Sequence, residues 1–243
     1  MSVLAATTGQ AAGSHETVTG LLARDRGLVW HPYAPLDGPA PYAVLRADGI
    51  HLTLASVDGA HIDAIDAMSS WWCAIHGYRN PVLDAALSEQ AGRFSHVMFG
   101  GLTHEPAVAL AEHLVALSPP SLQHVFFADS GSVSVEVAMK LAVQYQAAVG
   151  RPERRRFVAL RGAYHGDTTG AMSVCDPVDG MHSLFPGLVA EQLFVPRPPA
   201  ATTVAGRLVG NGVDDGEVDQ WMVAVEGLIE RHRHELAAIV IEP

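Results

Sequence analysis

A mixed α/β chain is what this sequence predicts: a small antiparallel β segment, then a mostly parallel sheet with helical crossovers. Three observations predict it. Two short apolar runs flank Asp48-Gly49, and after residue 125 strand-like runs alternate with segments of helical period. Leu236-Ala237-Ala238-Ile239-Val240-Ile241 is, in addition, a continuous apolar run of the kind buried on both faces of a parallel sheet.

Taken in order, residues 1–18 are rich in Ala, Thr, Gly and Ser and predict a disordered leader. Residues 19–75 read as the N-terminal segment of a small domain, in which Ala43-Val44-Leu45 and Ile50-His51-Leu52-Thr53-Leu54 pair about Asp48-Gly49 in a small meander. Residues 76–243 read as the first part of a larger domain. Asn80-Pro81 places a cap before a proline and opens a helix with Leu83, Leu87 and Ala91 on one face. A second helix follows Thr103-His104-Glu105-Pro106, turns Val108, Ala111, Leu114 and Val115 inward, and stops at Ser118-Pro119-Pro120. Residues 125–128 predict a strand, 129–132 a turn, and the next stretch a helix with Val133, Val137, Leu141 and Tyr145 at i+4 spacing, ending at Gly150. Strands are expected at 156–160 and 193–195, and a surface loop at 197–217. A helix is expected at 218–235, with Trp221, Val225, Leu228 and His232 on one face. Only Glu242-Pro243 follows the last apolar run, so the chain is expected to stop in mid-domain, because a parallel strand needs neighbours and a crossover.

Composition excludes several functions. Fifteen Lys and Arg against 26 Asp and Glu leave a formal charge of −11, the wrong sign for neutralising nucleic-acid phosphates. No apolar stretch approaches the roughly 20 residues of a membrane span, and residues 1–20 show no basic stretch before a solid apolar core, so neither export nor membrane insertion is expected. The two cysteines form neither a disulfide framework nor a C-x-x-C pair, so a reducing cytoplasm is the expected location. Thirteen histidines form no HExxH cluster, and no metal is expected. The G-x-G-x-x-G, Walker and G-x-S-x-G fingerprints are all missing.

Three segments carry candidate chemistry. Ser130-Gly131-Ser132 joins a predicted strand to a helix N-terminus, where free amides, a glycine and hydroxyls suit a phosphate; an ordinary helix cap reads the same residues equally simply. Gly162-Ala163-Tyr164-His165-Gly166-Asp167 follows a strand, at the carboxyl edge where ligands of α/β sheets bind. There Tyr164 either covers a flat cofactor or packs over a tight turn. In Met68-Ser69-Ser70-Trp71-Trp72 an extended backbone turns adjacent indoles to opposite faces, so one of them lines a site or a dimer interface.

Together these segments resemble the class III pyridoxal-phosphate aminotransferases. The resemblance rests on Trp30-His31-Pro32-Tyr33, Asp66-Ala67-Met68-Ser69-Ser70-Trp71-Trp72, His96-Val97-Met98-Phe99-Gly100-Gly101-Leu102-Thr103-His104, Asp129-Ser130-Gly131-Ser132-Val133, Tyr164-His165-Gly166-Asp167-Thr168 and Met172-Ser173-Val174-Cys175-Asp176-Pro177. It implies the fold type I of pyridoxal-phosphate transferases, aspartate aminotransferase-like and here incomplete. It implies pyridoxal 5'-phosphate as cofactor and a homodimer. The branch it is most similar to moves an amino group from S-adenosyl-L-methionine to 8-amino-7-oxononanoate in biotin biosynthesis; a class III enzyme acting on an ω-amino acid, or an inactive chain that pairs with a complete subunit, are the alternatives. By the resemblance, Gly131 and Ser132 match the phosphate cup and Tyr164 the ring that stacks on the cofactor and borders the substrate. Tyr33, Trp71 and Trp72 match the substrate pocket walls, and Asp167 an acidic position beside the site. The family's Schiff-base lysine, its pyridine-nitrogen aspartate and its carboxylate-binding arginine all match positions beyond residue 243. No catalytic residue is therefore expected here, and Lys140, the only lysine, reads as the partner of Glu136 in a surface ion pair.

Overall fold

A computed structural model describes residues 17–38, 42–180, 184–200, 203–205, 207–208 and 215–242. Up to residue 16 the expected leader lies outside these residues. The chain divides into two compact units, Met1–Glu105 and Pro106–Pro243, later in the sequence than the 75/76 boundary read from the residues.

In the first unit α1 (Val18–Asp25) was not foreseen. Thr17 caps it by accepting from the amide of Gly20, and Leu22 is its buried residue. The helix is short and holds a glycine, so its packing beside the meander gives it away where the sequence does not. The meander is β1 (Tyr42–Asp48), β2 (His51–Ser56) and β3 (His61–Ile65), antiparallel in that order. Asp48 pairs with His51, so the two-residue turn is Gly49-Ile50, one place later than the Asp48-Gly49 signal, with Gly49 at φ +57°. In α2 (Pro81–Ala91) the Asn80 side chain accepts from the amides of Val82 and Leu83, as the Asn-Pro pair predicts. Leu83 and Leu87, on one face of this helix, are exposed.

The second unit holds most of α3 (Glu105–Leu117), then α4 (Gly131–Ala148), β4 (Arg156–Leu160), α5 (Thr169–Ser173) and β5 (Leu193–Val195). A two-residue ladder, β6 (Thr203–Val204) with β7 (Arg207–Leu208), precedes α6 (Asp215–His232) and β8 (Leu236–Val240). The loop expected at 197–217 thus contains a small hairpin and the start of α6, and its remainder lies outside the described residues. Helix α6 also ends at His232 instead of 235.

The sheet order is β5-β4-β8, all parallel. Side chains alternate along β4: Phe157 and Ala159 pack with Met139 and Val174, while Val158 packs with Val195, Leu236 and the α6 residues Val225, Leu228 and Ile229. Helices α4 and α6 therefore cover opposite faces of one sheet. The expected α6 stripe holds, and the Trp221 indole N–H adds a bond to the carbonyl of Pro196 (2.8 Å).

One expectation fails here. Residues 125–128 form no strand: they pair with none of the described strands, and an apolar run without a ladder partner stays irregular, with Phe126 74% exposed. In α4 the core face is Val135, Met139, Ala142, Val143 and Gln146, whereas Leu141 and Tyr145 are exposed. The helix is apolar on two faces, so its period names both and selects neither. Gln146 fixes the choice, since its amide Nε2 donates to the carbonyl of Ala237 in β8 (3.0 Å).

Candidate functional site

The carboxyl ends of β4 and β8 and the N-terminus of α4 meet around a cleft of about 500 Å³. Gly131, Ser132, Val135, Tyr164, His165, Gly166, Ile241 and Glu242 line it. Gly131, Ser132 and Tyr164, singled out from the sequence, are thus brought together. Ser130 caps α4 by accepting from the Val133 amide (3.1 Å), which leaves the Gly131 and Ser132 amides in the first turn without a helical carbonyl. A Cβ on Gly131 would meet nothing within 4 Å, so the space over the helix end is open to an anion. Ser132 Oγ accepts from the Asp167 amide (3.0 Å), and its own proton remains available to donate. Asp167 enters through that amide; its carboxylate is not part of the cleft wall.

His165, Glu242 and the packing of Gly166 were missed in the sequence. The His165 amide donates to Cys175 Sγ (3.1 Å), and its ring Nε2 is buried without a hydrogen-bond partner among the described residues. Burial pushes the imidazole below its usual pKa and the Glu242 carboxylate partly opposes this, so the ring is neutral at neutral pH. Glu242 Oε2 accepts from the Tyr164 amide (2.8 Å). These contacts join positions far apart in sequence and leave no local signal. Open first-turn amides, a free hydroxyl proton and an orphaned ring nitrogen fit the phosphate and polar edge of pyridoxal phosphate.

The loop under Tyr164 is fastened from α4. Glu136 Oε1 accepts from the amides of Gly170 (2.6 Å) and Ala171 (3.3 Å), capping α5. Its carboxyl is held below the usual value by the Thr168 hydroxyl first, against partial burial, and then by those two amides. The ion pair expected with Lys140 is therefore not its main engagement, and Lys140 is exposed outside the cleft. Glu136→Gln is expected to lower stability by about 1 kcal/mol at neutral pH. Because the folded pKa is depressed, this contribution is present above the ordinary carboxylate range and is lost as pH falls through the folded value. Urea midpoints for both proteins should converge on acidification; a constant gap would refute the assignment.

In the first unit the aromatic residues are held differently from the extended reading. Ser69, Ser70, Trp71 and Trp72 take φ of +49°, +45°, +52° and +73°, a left-handed turn made without glycine, and Tyr33 has φ +59°. Such backbone costs ~1–2 kcal/mol per residue. It explains how neighbouring indoles diverge without a strand. Trp71 packs edge-on against Tyr33, with ring centroids 6.2 Å apart and planes at 87°. Tyr33, Trp71 and Trp72 are 96%, 58% and 84% exposed, so their faces are open to a ligand. Asp66 and Tyr78 lie beneath. Hydrogen bonding from Tyr78 lowers the Asp66 pKa against a desolvation cost, and Asp66 in turn raises that of Tyr78.

Among the described residues no helix is long and apolar enough to cross a membrane, and no three His, Cys, Asp or Glu side chains group as metal ligands. A family profile described as aminotransferase class-III matches residues 33–243. A Mycobacterium leprae (strain TN) protein named adenosylmethionine-8-amino-7-oxononanoate aminotransferase is 47% identical over 223 residues, covering 90% of this chain and 48% of the relative. The crystal structure of the protein of that name from Methanocaldococcus jannaschii DSM 2661 superimposes with a TM-score of 0.73 at 27% identity, covering 90% of this chain and 45% of the other. An amine transaminase from an uncultivated Pseudomonas species, solved in its PLP-bound form, gives 0.70 at 26%, over 89% and 48%. The chain spans about half the length of the curated relatives it matches.

Proposed function

We propose that this chain, which belongs to the class-III aminotransferase family, carries the cofactor-phosphate site and the donor-pocket aromatics of an aminotransferase acting on S-adenosyl-L-methionine and 8-amino-7-oxononanoate. The product would be 7,8-diaminononanoate, for biotin synthesis. The observation that carries the reading is the convergence of Gly131, Ser132 and Tyr164 on one cleft at the end of α4. Pyridoxal 5'-phosphate, when bound, supplies the electron sink that lets an amino group pass between carbon skeletons. The amides of Gly131 and Ser132 and the Ser132 hydroxyl hold its phosphate, Tyr164 covers its ring, and the Asp167 backbone keeps Ser132 oriented as a donor. Neutral His165 offers an uncharged polar contact. Tyr33, Trp71 and Trp72 present π faces to the sulfonium of the donor by cation–π attraction, and apolar surface to the alkyl chain of the acceptor. The assembled enzyme is a homodimer in this reading, and it works in the cytoplasm.

The test is titration of the chain with pyridoxal phosphate followed by borohydride and peptide mapping. Saturable binding that Ser132→Ala weakens about tenfold is expected, with Lys140 unlabelled. No binding, or a Lys140 adduct accompanied by turnover, would overturn the site. S-adenosyl-L-methionine should quench tryptophan fluorescence, and an ω-amino acid quenching in its place would move the donor assignment to the other branch of the family.

A further inference from the structure

We infer that Asp66 is the positioning residue of the donor pocket: with Tyr78 and Ser70 it holds residues 69–72 in their left-handed turn and so sets the Trp71 indole against Tyr33. This rests on the reading of Tyr33, Trp71 and Trp72 as that pocket. Four consecutive L-residues at positive φ revert to ordinary backbone unless their surroundings over-determine them. The side-chain hold on the turn is one carboxylate and what anchors it, beside weaker backbone bonds from the amide of Trp72 to the carbonyl of Met68 (3.4 Å) and from that of Cys73 to Ser70 (3.3 Å). Asp66 Oδ1 accepts from the Met68 amide (3.0 Å), and Oδ2 from the Ser70 amide (2.8 Å) and the Tyr78 hydroxyl (2.6 Å). With its proton given to Asp66, Tyr78 accepts from the Ser70 hydroxyl.

Both ends of this clamp are fixed to the β1–β2 turn. The Asp66 amide donates to the carbonyl of Ile50 (2.9 Å), and Tyr78 exchanges two backbone bonds with Gly49 (2.7 and 3.0 Å). Inside the turn, the amide of Ala74 closes on the carbonyl of Ser69 (2.9 Å). The rigid hairpin thus reaches the exposed aromatic pair through one acid and one phenol. A network of this kind, on a turn where Met68, Trp71 and Trp72 are exposed, has the pose of Trp71 as its product.

Near-UV circular dichroism of the Tyr33–Trp71 pair, S-adenosyl-L-methionine affinity by tryptophan quenching, and pyridoxal-phosphate affinity test it together. In Asp66→Asn the near-UV band should fall to that of Trp71→Phe and donor affinity about tenfold, with cofactor affinity unchanged. Tyr78→Phe keeps the ring and its backbone bonds and should lose about threefold. Adding Ser69→Gly to Asp66→Asn should restore most of the band and affinity, because glycine occupies positive φ without the penalty that Asp66 offsets. An unaltered band in Asp66→Asn, a parallel loss of cofactor affinity, or no recovery in the double variant would overturn the inference. Collapse and recovery of the band in a chain that does not bind the donor would leave Asp66 as the positioning residue and overturn the donor assignment instead.

Discussion

Asp176→Ala is expected to remove about 3 kcal/mol of stability and to loosen the turn that carries Tyr164. Asp176 is 4% exposed and accepts from Arg161 Nε (3.0 Å) and from the amides of Gly162 (2.5 Å), Val178 (2.8 Å) and Asp179 (2.9 Å). Its own amide donates to the carbonyl of Ala163 (3.0 Å), so it joins the loop between β4 and α5 to the segment that follows α5. Alanine would leave several donors buried without an acceptor. Burial alone raises the carboxyl pKa, yet the Arg161 guanidinium and the three amides hold it far below the usual range. The folded state therefore binds fewer protons than the unfolded one. This contribution is complete above the ordinary carboxylate pKa of about 4 and declines as pH falls below it. Asp176→Asn should flatten that acid limb. Urea unfolding followed at pH 7 and at pH 3.5 measures both effects, and an alanine variant with the original midpoint would refute them.

Gly166→Ala is expected to cost roughly 2–4 kcal/mol and to abolish pyridoxal-phosphate binding. Gly166 sits at φ +128°, and a Cβ there would lie 2.3 Å from Ser132 Oγ and 2.8 Å from Ser132 Cα. The hydroxyl can rotate away, but the helix backbone cannot. Either the loop lifts and takes Tyr164 with it, or the end of α4 shifts and spoils the phosphate cup. Gly131→Ala is the informative contrast, because its Cβ meets open space and stability should change by less than about 0.5 kcal/mol. If the same space receives the phosphate, affinity still falls. Equal affinity in Gly131→Ala and the unaltered chain would place the phosphate elsewhere.

Local chemistry made much of this legible. Asn80-Pro81, Ser130 and the Gly49 turn act through bonds closed within a few residues, so their residue types announce them. The runs at 156–160, 193–195 and 236–240 read as strands by their apolar content, and they pair as a parallel sheet. Gly131, Ser132 and Tyr164 stood out because each follows a strand-like run or opens a helix. The run at 125–128 resembles the others and forms no strand, because pairing depends on where the whole chain brings a partner alongside, which no local run encodes.

What the sequence determined by itself was therefore the α/β class, the three strands of the parallel sheet, the helix caps at Asn80 and Ser130 and the two loops that bear the cleft. All of these rest on propensity, period and capping over short spans. Tertiary structure alone decided the rest. It chose which apolar face of α4 meets the sheet, turned Glu136 from Lys140 to the amides of α5, wedged Gly166 against Ser132 and coiled residues 69–72 left-handed over Asp66. Each of these is a choice between locally similar alternatives, settled by a hydrogen-bond acceptor or a packing surface that the chain brings back from a distant position.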